Sequence, residues 1–166
     1  EGLRFRWVNI GSLANAPLVE KLRLAVRDAG LEDYFTLTGP LDNPYGVMRR
    51  ADAVCVLSDH ESWSVVITEA KALGVPVIAT RPSGALEQIE DGKNGVLCGF
   101  SDEEIAESLR AFLTSGAAET MCRDAKRPAV ETSRDTLEAL LENDTKKALY
   151  VFDDINYASG ARAAAL

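Results

Sequence analysis

Histidine is nearly absent from this 166-residue chain, His60 being the single one. Cysteine is scarce too, and Cys55, Cys98 and Cys122 show none of the paired spacings of a zinc or iron site. Cys55 and Cys98 lie in apolar, strand-like runs, which predicts reduced core thiols in a cytoplasmic protein. No apolar run approaches the roughly 18 residues of a membrane span, and no signal peptide is visible. Positive charge is in deficit, with 18 Lys and Arg against 26 Asp and Glu for a net charge of -8. That balance excludes the broadly basic surface of a nucleic-acid-binding protein and leaves room only for a local basic pocket. Internal repeats and low-complexity linkers are missing, so residues 1–166 read as one domain, with 157–166 a frayed tail rich in small residues. A hydrophobic content of 46% is enough for a sizeable core.

What the chain does have is concentrated between Asp52 and Thr80, which reads as strand, polar loop, helix, tight turn and strand. Ala53 to Leu57 and Val75 to Ala79 are apolar without alternation, as expected of strands in a parallel sheet covered on both faces. The predicted fold class is therefore α/β, a Rossmann-like parallel sheet with helices on both faces. Ligands of such sheets lie beyond the carboxyl ends of the strands, against the first turns of the following helices. Ser58, Asp59, His60 and Glu61 follow such a strand end directly, and Glu69 stands eight positions after Glu61. If that piece is helical, a rise of about 1.5 Å per residue separates the two carboxylates by roughly 12 Å, close to the length of a nucleotide sugar. One carboxylate would then accept hydrogen bonds from sugar hydroxyls and the other from a ribose, with a diphosphate between them at free backbone N–H groups.

The residues that carry a resemblance are Glu61 and Glu69, then Ala70, the run Leu73 to Thr80, Gly84, Glu87 and the turn Asp91-Gly92-Lys93-Asn94-Gly95. In this pattern the chain, over roughly residues 4–115, resembles the "glycosyl transferases group 1" family of retaining enzymes with the GT-B fold. The resemblance implies the carboxy-terminal, donor-binding half of that fold, acting on a nucleoside diphosphate sugar, with a UDP-sugar the expected donor and no further cofactor. It assigns Glu61 the catalytic position, orienting the donor sugar, and Glu69 the ribose. It places Ser62, Trp63 and Ser64 where the family usually has Gly-Phe-Gly beside the phosphate, and Gly39 and Leu41 in the turn near the base. His60 and Gly84 complete the expected donor contacts, with Ser83 where the family commonly has a first glycine.

Plainer roles stand beside these. Gly39-Pro40 also reads as an ordinary turn, His60 as a structural hydrogen-bonder, Asp59 as a solvated loop residue and Glu69 as an exposed helix carboxylate. Trp63 either packs under the loop or touches a ligand, Gly84 sits in an ordinary helix-opening loop on the plainer reading, and Lys93 reads as a solvated turn lysine.

The remaining elements follow simple signals. Arg4 to Ile10 reads as a strand, and Pro17 begins a helix with Leu18, Leu22, Ala25, Val26 and Ala29, closed by Gly30. Phe35 to Thr38 is a strand, and Asn43-Pro44 opens a short helix with Asn43 as N-cap. The helix after the loop is expected from Val66, Ala70 and Leu73, against the β-branched run Val65-Val66-Ile67-Thr68. Val96-Leu97-Cys98 is a strand. Ser101 caps a helix with Ile105, Leu109, Phe112 and Leu113 on its apolar face. Beyond Gly116 the signals weaken: Pro128 interrupts a helical stretch, Thr136 to Leu141 suggests another, and Lys146 to Phe152 a last amphipathic piece.

By the resemblance, a complete enzyme adds an amino-terminal acceptor domain and a strand and helix that supply an Arg and a Lys to the diphosphate. The chain is accordingly expected to be a fragment that binds donor weakly and does not transfer sugar alone. Its place is cytoplasmic, with peripheral membrane attachment through the companion domain left open. The rivals are a non-catalytic nucleotide-sugar-binding module and a sugar-nucleotide epimerase.

Overall fold

The structure, a computed structural model, describes residues 3–121 and 148–152. Strands β1 (Arg6–Ile10), β2 (Phe35–Gly39), β3 (Ala53–Val56), β4 (Val77–Ala79), β5 (Gly95–Leu97) and β6 (Ala148–Phe152) form one sheet, ordered β2-β1-β6-β3-β4-β5. Every neighbouring pair is parallel. The Rossmann-like α/β class expected from the uninterrupted apolar runs is therefore the observed one. Chain order leaves β1 toward one edge and runs from β3 toward the other, so the sheet has a topological switch between β1 and β3. The carboxyl ends of the strands at such a switch frame the natural ligand crevice.

The helices are α1 (Ala16–Asp28), α2 (Tyr45–Met48), α3 (Val65–Ala72), α4 (Ser83–Gln88), α5 (Asp102–Ser115) and α6 (Ala117–Met121). One core packs Val8, Ile10, Val54, Val56, Val77 and Ala79 against Val47 and Met48 of α2 and Ile67 and Ala70 of α3. The other lies on the opposite side of the same strands, where Trp7, Ala53, Cys55 and Ile78 meet Ile105, Leu109, Phe112 and Leu113 of α5. Consecutive residues of β3 thus feed different cores, which is why its sequence shows no alternation. Leu22 and Val26 of α1 form a third cluster, with Phe35 and Leu37 of β2 against it.

Local signals place the helix ends. Asn15 caps α1 by accepting from Leu18 N–H, and Gly30 follows with φ +67°, a conformation glycine adopts without strain. The expected cap at Asn43 is not formed: Pro44 occupies the N-cap position of α2 without a side-chain cap, and Asn43, one residue earlier, accepts from Tyr45 N–H at 3.1 Å. Ser101 and Glu104 form a reciprocal capping box at α5, and the four apolar residues read from its sequence are all buried.

Two expectations need correction. Lys146 to Phe152 reads as a last amphipathic piece, not as a strand, whereas Ala148–Phe152 is a strand seated between β1 and β3. The run Ala-Leu-Tyr-Val-Phe is apolar, short and rich in β-formers, and a run of that length is ambiguous by period alone. A central slot in a parallel sheet, apolar on both faces, decides it. The strand expected from Val75 also begins two residues later, because Val75 N–H still donates to Ala70 at the end of α3. The features read at Cys122, Pro128, Thr136 to Leu141 and 157–166 lie outside the described residues.

Candidate functional site

The site is built on the loop between β3 and α3, residues 57–64, at the carboxyl edge beside the switch. Leu57 is buried and Ser58 half-buried, after which Asp59 and His60 are exposed, Glu61 is half-buried, and Ser62 and Trp63 are exposed. The next segment of chain pins this loop from below at three points. Thr80, just past β4, donates its hydroxyl to Ser58 O at 2.5 Å. Gly84 N–H of α4 donates to Glu61 O at 2.9 Å. Gln88, 5% exposed, accepts from Ser64 N–H and donates to Ser64 O, both at 2.9 Å, so one side-chain amide serves a backbone donor and acceptor together. Its Nε2 also meets Thr68 Oγ1, and Lys71 of α3 donates to the Gln88 carbonyl. Thr80, Gly84 and Gln88 were not read as loop anchors in the sequence. The signal was their spacing by four residues along a strand end and a short helix, which acquires meaning only once the loop lies across them.

Gly84 has a concrete reason to lack a side chain. A Cβ there would fall 2.5 Å from Ser62 O and 2.8 Å from Glu61 O, far inside contact distance. The expectation at Gly84 is close backbone approach to the donor; what the structure packs against it is the loop's own backbone. Ser64 is 4% exposed and caps α3, its hydroxyl accepting from Ile67 N–H at 3.4 Å and its carbonyl from Thr68 N–H. The N–H groups of Val65 and Val66 remain at the helix opening, where the helix dipole is positive. Of the two serines, Ser62 is the exposed one.

Trp63 is 57% exposed, so it does not pack under the loop. Glu61 stands in the loop and Glu69 in the second turn of α3, which begins only at Val65. The helical separation of roughly 12 Å between the carboxylates accordingly does not apply, since four of the intervening steps run through non-helical backbone. The expected helix face is shifted by one residue as well: Ile67, fully buried, carries the contact with Ala70 and Leu73, while Val66 is half-buried. Burial of that face overrides the poor propensity of the β-branched run.

Glu69 has a partner the sequence did not suggest. Tyr45, the first residue of α2, donates its hydroxyl to Glu69 Oε1 at 2.7 Å. That hydrogen bond and the adjacent negative charge raise the Tyr45 pKa, so the phenol stays protonated and donating. Gly39 ends β2 with φ +74° and is buried, and Leu41 packs half-buried against the α2–α3 core. The short segment from Gly39 to Tyr45 thus links the turn after β2 to the carboxylate on α3. Arg81, beyond β4, turns the other way, donating to Leu97 O at 3.1 Å with Asp91 at 4.0 Å.

A separate cleft of about 430 Å³ lies between β5 and α5, lined by Arg81, Leu97, Cys98, Glu104, Ser108 and Phe112 among others. It shares no residue with the loop after β3. Burial pushes the Cys98 thiol in this cleft up to about 11, and burial raises Cys55 further still. Among the described residues no helix is long and apolar enough to cross a membrane.

Known proteins are similar to this chain in sequence and fold. N-acetyl-alpha-D-glucosaminyl L-malate synthase of Bacillus anthracis is 38% identical over 77 residues, 46% of this chain and 20% of that protein. D-inositol 3-phosphate glycosyltransferase of an Arthrobacter species is 38% identical over 106 residues, 62% of this chain and 25% of that protein. The chain therefore spans a quarter or less of the length of these relatives. Among solved structures, Anabaena HepE in complex with UDP and glucose aligns with a TM-score of 0.61 at 25% identity, covering 72% of this chain and 33% of that one. Sucrose-phosphate synthase from Thermosynechococcus elongatus, with a TM-score of 0.62 at 24% identity, covers 81% of this chain and 33% of its own and shares the fold. The family described as "Glycosyl transferases group 1" matches residues 4–129, well over half of the chain. With the parallel sheet, that match establishes that the chain belongs to the glycosyl transferases group 1 family, whose structural neighbours have the GT-B fold.

Proposed function

We propose that the chain holds the nucleoside diphosphate sugar, a UDP-sugar, in an enzyme that transfers the sugar to an acceptor during bacterial polysaccharide or glycolipid synthesis. The observation that carries this reading is the loop of residues 57–64, fixed at Ser58, Glu61 and Ser64, which delivers Glu61 just ahead of α3 and Glu69 within it. The UDP in the Anabaena HepE complex supports the choice of base.

In this reading Glu61 orients the donor sugar and Glu69 accepts from the ribose hydroxyls. The diphosphate lies at the N–H groups of Val65 and Val66 with the Ser62 hydroxyl beside it, and the base lies toward Gly39 and Leu41. His60 and the exposed Trp63 face the same crevice. Gly84 serves by letting the loop seat, and Ser64 by fixing the start of α3. Transfer breaks the bond between the anomeric carbon and the diphosphate oxygen, which leaves with the electron pair. The acceptor oxygen bonds that carbon and gives its proton to the departing diphosphate oxygen, and no protein nucleophile intervenes. Preorganised N–H donors stabilise the charge growing on the leaving group. Retention of configuration follows from the family.

In the complete enzyme an amino-terminal domain binds the acceptor, and a strand and helix of the donor domain itself supply the cations for the diphosphate, consistent with the small share of the relatives that this chain spans. Alone, the chain binds donor weakly and transfers nothing. Titration calorimetry with UDP, GDP and ADP tests the site. UDP is expected to bind best, and Glu69→Ala to weaken it by about 1–3 kcal/mol, the cost of losing a charged hydrogen-bond partner. Equal binding of UDP to both proteins contradicts the assignment of Glu69, and detectable sugar transfer by the chain alone contradicts the division of labour.

A further inference from the structure

The Tyr45–Glu69 hydrogen bond joins two elements that are far apart in sequence at the place where the ribose is assigned. Tyr45 stands at the opening of α2, its N–H bonded to Asn43 Oδ1, and the three residues after it, Gly46, Val47 and Met48, are buried. The root of the ring is therefore fixed to the core, while the residue itself is 37% exposed. Glu69 is half-buried on α3, whose inner face is locked by Ile67 and Ala70. A glutamate has several freely rotating torsions, and a ligand that uses it must ordinarily order them on binding. The phenol holds Oε1 in advance, which leaves Oε2 and the remaining lone pairs of Oε1 as acceptors on an oriented carboxylate.

We propose that Tyr45 is a positioning residue for Glu69, which by orienting that carboxylate sets the preference of the site for a ribose carrying both vicinal hydroxyls. The inference rests on the assignment of Glu69 to the ribose. The phenol does not touch the donor in this account. It acts through Glu69, and its contribution is lost on ligands that give Glu69 nothing to accept.

The test compares UDP with 2′,3′-dideoxyuridine diphosphate by calorimetry on the whole chain, as wild type, Tyr45→Phe and Glu69→Ala. Tyr45→Phe keeps the ring and removes only the donor. It is expected to weaken UDP by about two- to tenfold, the worth of one hydrogen bond, and to leave the dideoxy ligand unchanged, so the preference for ribose shrinks. Glu69→Ala is expected to abolish that preference. An unchanged preference in Tyr45→Phe beside a lost one in Glu69→Ala overturns the role of Tyr45 and leaves the ribose assignment standing. Tighter UDP binding by Tyr45→Phe also overturns it, since the phenol would then compete for the carboxylate. An unchanged preference in Glu69→Ala, or no UDP binding by the wild type, overturns the ribose assignment itself.

Discussion

Gln88 concentrates more of the loop's geometry in one side chain than any residue read from the sequence. It satisfies both backbone groups of Ser64 from a buried position, so Gln88→Leu leaves a buried N–H without a partner. The expected cost is about 1–3 kcal/mol of stability, measurable by urea unfolding, together with weaker donor binding. Gly84→Ala acts differently. Its methyl group collides with the carbonyls of Ser62 and Glu61, so the loop shifts and α4 loosens, at about 1–3 kcal/mol for an overpacked site. If Gly84→Ala binds UDP as the wild type does, the loop is not the donor site. The thiols offer a third check. With the ordinary thiol value near 9.0 raised by burial, Cys55 and Cys98 stay protonated in the native state, and iodoacetamide at pH 8 should label them only on unfolding. The sign for stability follows: as pH rises from about 9 toward 11 the unfolded chain loses protons that the folded Cys98 keeps, so stability falls over that window. At this scale Glu61, Glu69 and Gly84 are singled out in the sequence because they stand in a recognisable spacing, and their donor contacts are proposals. Gln88 and Tyr45 were not, since a glutamine on a short helix and an exposed tyrosine acquire partners only through tertiary contacts 24 residues away.

Helix α5 shows what was fully legible at the scale of an element. Ser101, Glu104 and the apolar stripe specify its start, its capping box and its buried face, and the structure shows all three. Ser101→Ala should cost about 0.5–2 kcal/mol. Hydrogen bonds from the Ser101 N–H and hydroxyl hold the Glu104 carboxyl below its ordinary value of 4.5. A lowered folded pKa means the box is intact above that value and is lost as pH falls through the lowered one. Unfolding midpoints at pH 7 and pH 3 should therefore converge in Glu104→Gln relative to wild type. Helix α3 was harder to read, because its β-branched run argues against a helix and only burial of Ile67 and Ala70 against the sheet settles it. Strand β6 was misread altogether, since five apolar residues carry no period to distinguish strand from helix.

The whole molecule depends on that misread strand. β6 is the last described element of the chain and sits in the middle of the sheet, the sole link between the pair β2-β1 and the trio β3-β4-β5. A chain ending at Met121 is expected to lose its single cooperative unfolding transition by circular dichroism, and retention of a wild-type transition would contradict the sheet order. The switch between β1 and β3, which sets the crevice, depends on the same strand. Fold class and the sequence neighbourhood of the site were legible here because parallel strands and their loops are local in sequence. The central seat of β6 was not, because it depends on which strand slot is left open.

Where the donor lies is the central claim, and backbone amide chemical shifts on titration with UDP-glucose test it most directly. The account predicts perturbations concentrated at residues 58–69 and 39–45, with Gly84 and Gln88 following as the loop tightens. Perturbations concentrated instead at Arg81, Cys98, Ser108 and Met121, around the cleft between β5 and α5, would contradict it.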